Sequence, residues 1–322
     1  MPANLPPQYF SAEKKYREAK TPQEKISALE EMLTIMPKHK GTDKLRAALR
    51  RKLAQFKNAL EAKRKTKKGL SYVIEKQGAG QVAMVGLPNS GKSLLVKNLT
   101  KATPEVADYP YTTRIPVPGM MDYEDVQIQL IDLPPLSEDY MQPWLGDILK
   151  RADLLLIILD LTHDPLNQWQ RVLTLLGKFK IRVSERNRGA GFFIKKAVVI
   201  ANKLDIPETQ EIFKIFKSFW EENLPLIPVS VKEEKNLDLL SKVLFERLEV
   251  IRVYSKAPGK KPDLTQPFIL KKGSTVYEFA DKVHHHIAAN LKFARIWNTQ
   301  LKGLRVEREY VLKDKDIVEL RT

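Results

Sequence analysis

One octapeptide constrains this chain more than any other feature. Gly86-Leu87-Pro88-Asn89-Ser90-Gly91-Lys92-Ser93 fits the pattern G-x-x-x-x-G-K-[ST]. It follows a short apolar run, Val82–Val85, and opens a stretch, Ser93–Thr100, that reads as a helix. A strand that turns through a glycine-rich loop into a helix aims several backbone N–H groups and the positive end of the helix at one point. A phosphate is the ligand that suits such a point. Gly86, Pro88, Asn89, Ser90, Gly91, Lys92, Ser93 and Leu94 are therefore the candidate phosphate-binding residues. Lys92 is expected to reach β- and γ-phosphate oxygens, and the Ser93 hydroxyl to ligate Mg²⁺.

The motif belongs to a longer alternation of strands and helices. Further candidate strands are Val126–Ile131, Leu154–Leu159, Ala197–Ala201 and Leu226–Val229. They are apolar at successive positions, as strands covered on both faces are. Helical stretches are expected at Pro143–Lys150, Leu166–Lys178, Thr209–Asn223 and Leu237–Leu248. The pattern predicts an α/β domain, a doubly wound and mostly parallel sheet, over residues 71–252.

Two more constellations fall at strand ends. Asp132 closes the strand before it and puts a carboxylate opposite the phosphate loop, where it can hold Mg²⁺ through water. Asn202-Lys203-Leu204-Asp205 follows Ala197–Ala201. A carboxylate at Asp205 can accept both N1–H and the exocyclic N–H of guanine. Adenine has no hydrogen on N1, so a site built on that carboxylate rejects it. Asn202 would brace the loop, and the Lys203 stem would cover the base plane. Ser230-Val231-Lys232 follows the next strand, where a loop would close over the base. Between the phosphate loop and Asp132 lies Tyr109-Pro110-Tyr111-Thr112-Thr113, in which a threonine could place its hydroxyl on Mg²⁺.

The flanking regions have a different character. Thr21-Pro22-Gln23-Glu24 reads as a capping box with proline at the first helical position. Ile26, Leu29, Leu33 and Met36 follow at helical spacing, and Leu45, Leu49, Leu53, Phe56 and Leu60 mark a second helix. A helical hairpin is expected over 1–70. Its segment Lys38–Lys68 holds thirteen lysines and arginines against two carboxylates, a net +11 of the chain's +16. Such concentration points to a polyanion partner, RNA in the first place. Beyond Arg252, Pro258, Gly259, Pro262 and Pro267 form a hinge-like stretch. A strand at Phe268–Leu270, a helix from Val276 to Ala289, and strands near Arg305–Glu307 and Asp316–Leu320 suggest a compact α+β module over 253–322.

Composition excludes several classes. There is no cysteine, hence no disulfide and no Cys-ligated zinc. The longest apolar run, Leu154–Leu159, is too short to cross a bilayer, and the first ten residues do not read as a signal peptide. The expected location is cytoplasmic, with no membrane partner. His284-His285-His286, if on one continuous helix, would point in three directions and could not share an ion. Trp144, Trp169, Trp220 and Trp297 read as packing residues, Asp160 and Asp164 as loop residues that end a strand rather than a catalytic pair, and Arg186, Arg188 and Gly189–Gly191 as a solvated loop.

GLPNSGKS, DYPYTT, DLPP, NKLD and SVK, in this order, resemble the Obg superfamily of GTPases, with the developmentally regulated GTP-binding branch the closer match. The segments VYSKAPGKKPDLTQPFIL and VLKDKDIVELRT look like the TGS domain, a ubiquitin-like β-grasp fold. The resemblance implies GTP and GDP as ligands and Mg²⁺ as cofactor. It gives Thr113, or failing that Thr112, as the switch threonine on the metal, acting with Lys92 in hydrolysis. Asn89 stands where potassium-dependent relatives carry a K⁺-coordinating asparagine, which implies a potassium requirement. RNA or the ribosome is the implied partner, through the basic hairpin and the TGS domain.

Three departures bear on hydrolysis. The family's D-x-P-G is Asp132-Leu133-Pro134-Pro135 here, and proline has no N–H to offer a γ-phosphate. Leu136 stands where Ras-like proteins place a water-orienting glutamine. The segment that follows, SEDYMQPWLGD, lacks the relatives' glycine- and glutamate-rich switch, and the family's insertion before NKLD looks shortened. A GTP-dependent switch with slow turnover is the expectation. The alternatives are a nucleotide-sensing RNA- or ribosome-binding module with vestigial hydrolysis, and an ATP-using protein, which Asp205 argues against.

Overall fold

The apolar runs assemble into one sheet. In a computed structural model, which describes residues 6–19, 22–36, 42, 46–53, 74–100, 116–138, 141–183 and 191–322, β1 (Gln81–Gly86), β3 (Val126–Asp132), β4 (Leu154–Asp160), β7 (Ala197–Asn202) and β8 (Leu226–Pro228) run parallel. β2 (Val117–Tyr123) adds an antiparallel edge, giving the order β2-β3-β1-β4-β7-β8. The chain leaves β1 toward β3 on one side and β4 on the other. Its carboxyl end is thus the crevice at which doubly wound sheets bind ligands. All seven residues of β4 are buried, each apolar side chain contributing about 1.5–3 kcal/mol relative to exposure.

Helices cover both faces. On one side α5 (Pro143–Arg151) and α6 (Pro165–Lys178) pack Leu145, Ile148, Val172 and Leu176 against Leu155 and Ile157. On the other, α4 (Lys92–Leu99) and α8 (Leu237–Leu248) pack Leu95, Leu240 and Leu244 against Met84, Leu156 and Ile200. Between α7 (Thr209–Ser218) and β8 the chain turns earlier than the helix expected to Asn223. The reason is Trp220, which packs on Trp169 at 5.0 Å and donates its indole N–H to the Leu224 carbonyl at 3.2 Å. β2 escapes the sequence pattern because Pro118 and Gly119 interrupt it. Proline is tolerated there because β2 is an edge strand. A short parallel pair, β5 (Ile181–Val183) and β6 (Phe193–Lys195), flanks the sheet's helices. The loop 184–190 between them, with Arg186 and Arg188, lies outside the described residues.

The C-terminal sheet has the order β10-β9-β13-β11-β12, formed by β9 (Val250–Ser255), β10 (Phe268–Lys271), β11 (Phe293–Trp297), β12 (Lys302–Val306) and β13 (Asp316–Arg321). α9 (Val276–Val283), closed by a Thr275/Glu278 capping box, buries Val276 and Phe279 against Val253, Ile296 and Val318. The helix expected to Ala289 breaks at His284, which is extended, and α10 (His285–Ala289) restarts there. His284 accepts from the His286 N–H at 3.2 Å and the two rings stack. Among the described residues no cluster of three histidines, cysteines or carboxylates could hold a metal.

The two sheets meet through a buried arginine. Arg252 on β9 is 3% exposed and bonds Glu124 (2.5 Å) and Asp125 (2.8 Å) at the β2–β3 turn and Asp314 (2.6 Å) before β13. The Tyr254 hydroxyl also donates to Asp125.

Residues 1–71 form a separate unit. It holds α1 (Pro7–Glu18), α2 (Pro22–Ile35) and α3 (46–53). α1 adds a helix that the hairpin reading did not contain. Tyr9, Ala12, Leu29, Met32, Met36 and Leu49 form its core. Arg50, Arg51 and Lys52 are exposed on α3. Thr21, Leu45, Phe56, Leu60 and most of the basic segment lie outside the described residues. Among the described residues no helix is long and apolar enough to cross a membrane.

Candidate functional site

The loop from β1 to α4 is shaped by two glycines. A Cβ on Gly86 would sit 2.8 Å from the Ile158 carbonyl oxygen and 2.7 Å from the Ser90 hydroxyl. Gly91 caps α4 at φ +96°, and a Cβ there would meet the Asn202 amide at 2.4 Å. Asn89 adopts φ +61° at the exposed tip beside Pro88. Ser90 is buried, whereas Leu94 is 43% exposed. The Lys92 ammonium, 7% exposed, donates to the carbonyls of Gly86 (2.9 Å) and Leu87 (2.8 Å) and lies 3.3 Å from the Ser90 hydroxyl. A phosphate oxygen would take over such contacts and gain the charge.

Ser93 and Asp132 come together. The Ser93 hydroxyl donates to Asp132 Oδ2 at 2.9 Å, joining the first turn of α4 to the carboxyl end of β3. A hydroxyl and a carboxylate are hard oxygen donors that suit Mg²⁺, which is commonly held by few protein groups with phosphates and water completing the shell. Thr112 and Thr113, and with them Tyr109–Tyr111, lie outside the described residues. Beyond Asp132 the chain turns inward. Leu133 and Leu136 are 3% and 2% exposed in the core. The Leu136 N–H donates to the Gly86 carbonyl at 3.1 Å. Pro134 and Pro135 have no N–H, so residues 134–136 present no uncommitted backbone donor.

The third group sits at the ends of β7 and β8. Asn202 is 3% exposed and ties three segments together. Its Nδ2 donates to the Ser90 carbonyl at 2.9 Å, and its Oδ1 accepts the Val231 N–H at 3.1 Å. The Asn98 amide holds the Val231 carbonyl at 2.7 Å. The Ser230 hydroxyl donates to Asp205 Oδ1 at 2.7 Å and accepts the Glu233 N–H at 3.1 Å. This fixes the carboxylate while leaving it half-buried. Lys232 is exposed at the turn. The arrangement can present two carboxylate oxygens to paired N–H donors on a planar base.

Asp160 has a role that the sequence reading did not give it. It ends β4 in register with Asn202 and is 5% exposed. The Lys203 ammonium bonds its Oδ2 at 2.5 Å, and Thr162 donates to its Oδ1 through N–H (2.9 Å) and hydroxyl (2.7 Å). Burial pushes its carboxyl up, but the Lys203 and Thr162 bonds outweigh this and hold it below the ordinary range. Lys203, at φ +71°, is thereby anchored in a left-handed turn. A carboxylate closing an apolar parallel strand was the available signal. Asp164 caps α6, accepting from the Leu166 and Asn167 N–H groups. Trp144 and Trp169 are buried, but Trp297 lies on the outer face of the C-terminal sheet and is only half-buried.

A phosphate loop, an adjoining Ser–Asp pair and a braced NKLD turn at one crevice define the class. Residues 81–203 match the 50S ribosome-binding GTPase family, and residues 251–322 match the TGS domain. The chain therefore carries a P-loop GTPase domain and a C-terminal TGS domain. Its homologues include an uncharacterized GTP-binding protein of Methanocaldococcus jannaschii, 28% identical, with 92% of each chain covered. Developmentally-regulated GTP-binding protein 2 of Homo sapiens is 25% identical, over 92% of this chain and 98% of that protein. The YchF GTPase of Schizosaccharomyces pombe shares the fold, with a TM-score of 0.54 at 14% identity, over 77% of this chain and 99% of that one.

Proposed function

We propose that this chain is a GTP-dependent switch with slow intrinsic hydrolysis, acting in association with RNA or the ribosome. Gly86–Leu94 cradle the phosphates, with Lys92 on the β- and γ-oxygens. Asp205 accepts the guanine N–H groups, Asn202 braces the loop, Lys203 covers the base, and Ser230–Lys232 close over it. Ser93, Asp132 and Thr113 would hold Mg²⁺, which would supply positive charge to the phosphates. Asn89 is the proposed K⁺ ligand. The functional parts are taken as 1–70, 71–252 and 253–322.

One observation carries the slow rate. Pro134 and Pro135 lack N–H groups, and the Leu136 N–H is already bonded to Gly86. The backbone of residues 134–136 therefore offers no donor to the γ-phosphate as charge develops on it. One such donor to a charged oxygen is worth about one to two powers of ten in rate. The same observation favours a second reading, in which hydrolysis is vestigial and the nucleotide is only sensed. Association with RNA or ribosomes is supported by the exposed Arg50, Arg51 and Lys52 on α3 and by the match to a ribosome-binding GTPase family.

Single-turnover GTP hydrolysis, with and without ribosomal particles and K⁺, tests both. A slow basal rate that particles or K⁺ accelerate supports the switch. A rate unmoved by either, with GTP- and GDP-loaded protein still captured differently by particles, supports the sensing module. A fast basal rate, or equal capture of both forms, refutes the proposal.

A further inference from the structure

We propose that Asp160 and Gln168 are positioning residues for the guanine base, holding the Lys203 side chain as a fixed shelf against it. The inference rests on the base placement proposed above and adds how that site retains its nucleotide. Lys203 is tied at both ends. The hydroxyl of Thr209, a residue 1% exposed, donates to the Lys203 carbonyl at 2.9 Å. The Lys203 ammonium donates to Asp160 Oδ2 at 2.5 Å. The four-carbon stem between these points is a strut, whereas an untied lysine samples many rotamers.

Asp160 is held in turn from two directions. Thr162 occupies its Oδ1 through both N–H and hydroxyl, which leaves Oδ2 to Lys203. His163 Nδ1 stands farther from that oxygen, at 3.4 Å, and closer to the Thr162 hydroxyl, at 3.0 Å. Gln168, 8% exposed in the first turn of α6, grips the Asp160 backbone. Its Oε1 accepts the Asp160 N–H at 2.9 Å, and its Nε2 donates to the Asp160 carbonyl at 2.6 Å, with a longer bond to the His163 carbonyl at 3.3 Å. The Leu161 N–H then donates to the Asn202 carbonyl at 3.1 Å. A continuous chain, Gln168 to Asp160 to Lys203, thus runs from α6 to the NKLD turn.

Folding alone does not account for this arrangement. β4 is apolar from Leu154 to Leu159 and buried throughout. A buried lysine–carboxylate pair is commonly no more stable than apolar residues of similar volume. Lys203 also adopts φ +71°, a left-handed conformation that glycine takes without strain and lysine does not. Strand and turn thus carry a charged pair at two positions where an uncharged residue would fold as well, a local conflict of the kind found at functional sites. What the pair supplies is a side chain ordered before the base arrives. Ordering one long side chain in advance is worth up to about tenfold in affinity. The gain falls alike on GTP and GDP, because neither Asp160 nor Gln168 belongs to the phosphate loop or the Ser93–Asp132 pair. The choice of guanine stays with Asp205.

Stopped-flow dissociation from the full chain tests this, with GDP and a non-hydrolysable GTP analogue, each carrying a fluorophore on the ribose, chased by excess unlabelled nucleotide. Asp160→Asn should speed dissociation about tenfold and Gln168→Met about threefold, by equal factors for both nucleotides. Lys203→Met, which keeps an apolar stem without the ammonium, should act like Asp160→Asn. The combination decides the matter. In the Lys203→Met background, Asp160→Asn and Gln168→Met should each add less than about twofold, whereas a merely structural loss would multiply. The melting midpoint without nucleotide is the folding control. Should Asp160→Asn fail to fold, Thr162→Val, at an exposed position, carries the test with the same dependence on Lys203. Wild-type dissociation in Asp160→Asn, factors that multiply in the Lys203→Met background, or an acceleration confined to the GTP analogue would overturn the proposal. If Asp205→Ala also keeps wild-type dissociation and guanine preference, the base placement itself fails. If Asp205→Ala loses that preference while Asp160→Asn changes nothing, this inference fails alone.

Discussion

Replacing Pro135 by glycine isolates the missing γ-phosphate donor. The neighbouring backbone is pinned: Leu133 and Leu136 are buried, and the Leu136 N–H holds the Gly86 carbonyl at 3.1 Å. The substitution therefore adds one N–H to a segment already fixed beside the phosphate loop. A hydrogen bond to a charged oxygen is worth about 1.5–3 kcal/mol. Made fully in the transition state, that is roughly a 10- to 150-fold faster chemical step. Glycine also frees the unfolded chain, at a cost of about 1 kcal/mol, or about 2–4 °C in melting midpoint for a domain of this size. Single-turnover phosphate release should accelerate within that range, and competition binding should show a larger preference for GTP over GDP. A lower melting midpoint with rate and preference both unchanged would refute the reasoning, since the N–H at 135 would then not face the nucleotide. A wild-type rate that is high and falls in the variant would do so equally.

Other substitutions probe the base site and the junction. Asp205→Ala removes two hydrogen bonds at about 1.5–3 kcal/mol each. GTP affinity should fall about 10²- to 10⁴-fold in competition binding, while ATP affinity hardly changes. Arg252→Leu leaves Asp125 and Asp314 without their buried partner and should lower stability to urea by about 3–5 kcal/mol. At Asp125 burial pushes the carboxyl up, but the bonds from Tyr254 and Arg252 prevail and hold it below the ordinary range. A depressed carboxylate stabilises the fold above its unfolded value and loses that contribution as pH falls through the folded one. The melting midpoint should therefore drop as pH is lowered from about 4, and Arg252→Leu should flatten this dependence. Burial first, and Asp125 next, push the Tyr254 hydroxyl up to about 12. Its stabilisation is complete below the ordinary tyrosine value and is lost as pH rises through about 12. An ultraviolet phenolate titration should show a late component near pH 12 from Tyr254, moved to lower pH by Asp125→Asn.

The sequence alone determined the parts of this protein whose signals are local. GLPNSGKS between an apolar run and a helix places the phosphate loop, because glycines and a helix N-terminus act within a few residues. The buried strands are legible because side chains covered on both faces must be apolar at every position. NKLD and Asp132 follow from their places at strand ends. Tertiary structure decided what depends on chain segments far apart in sequence. Asn202 bonds the Ser90 carbonyl across the crevice, and Asp160, which read as a loop residue, anchors Lys203. β2 forms despite Pro118 because its partner β3 leaves it at an edge. Arg252 meets its carboxylates only once the strands have paired. Periodicity reports which residues are buried. It does not report which buried or exposed residue faces which, because register between distant strands is set by packing the whole sheet.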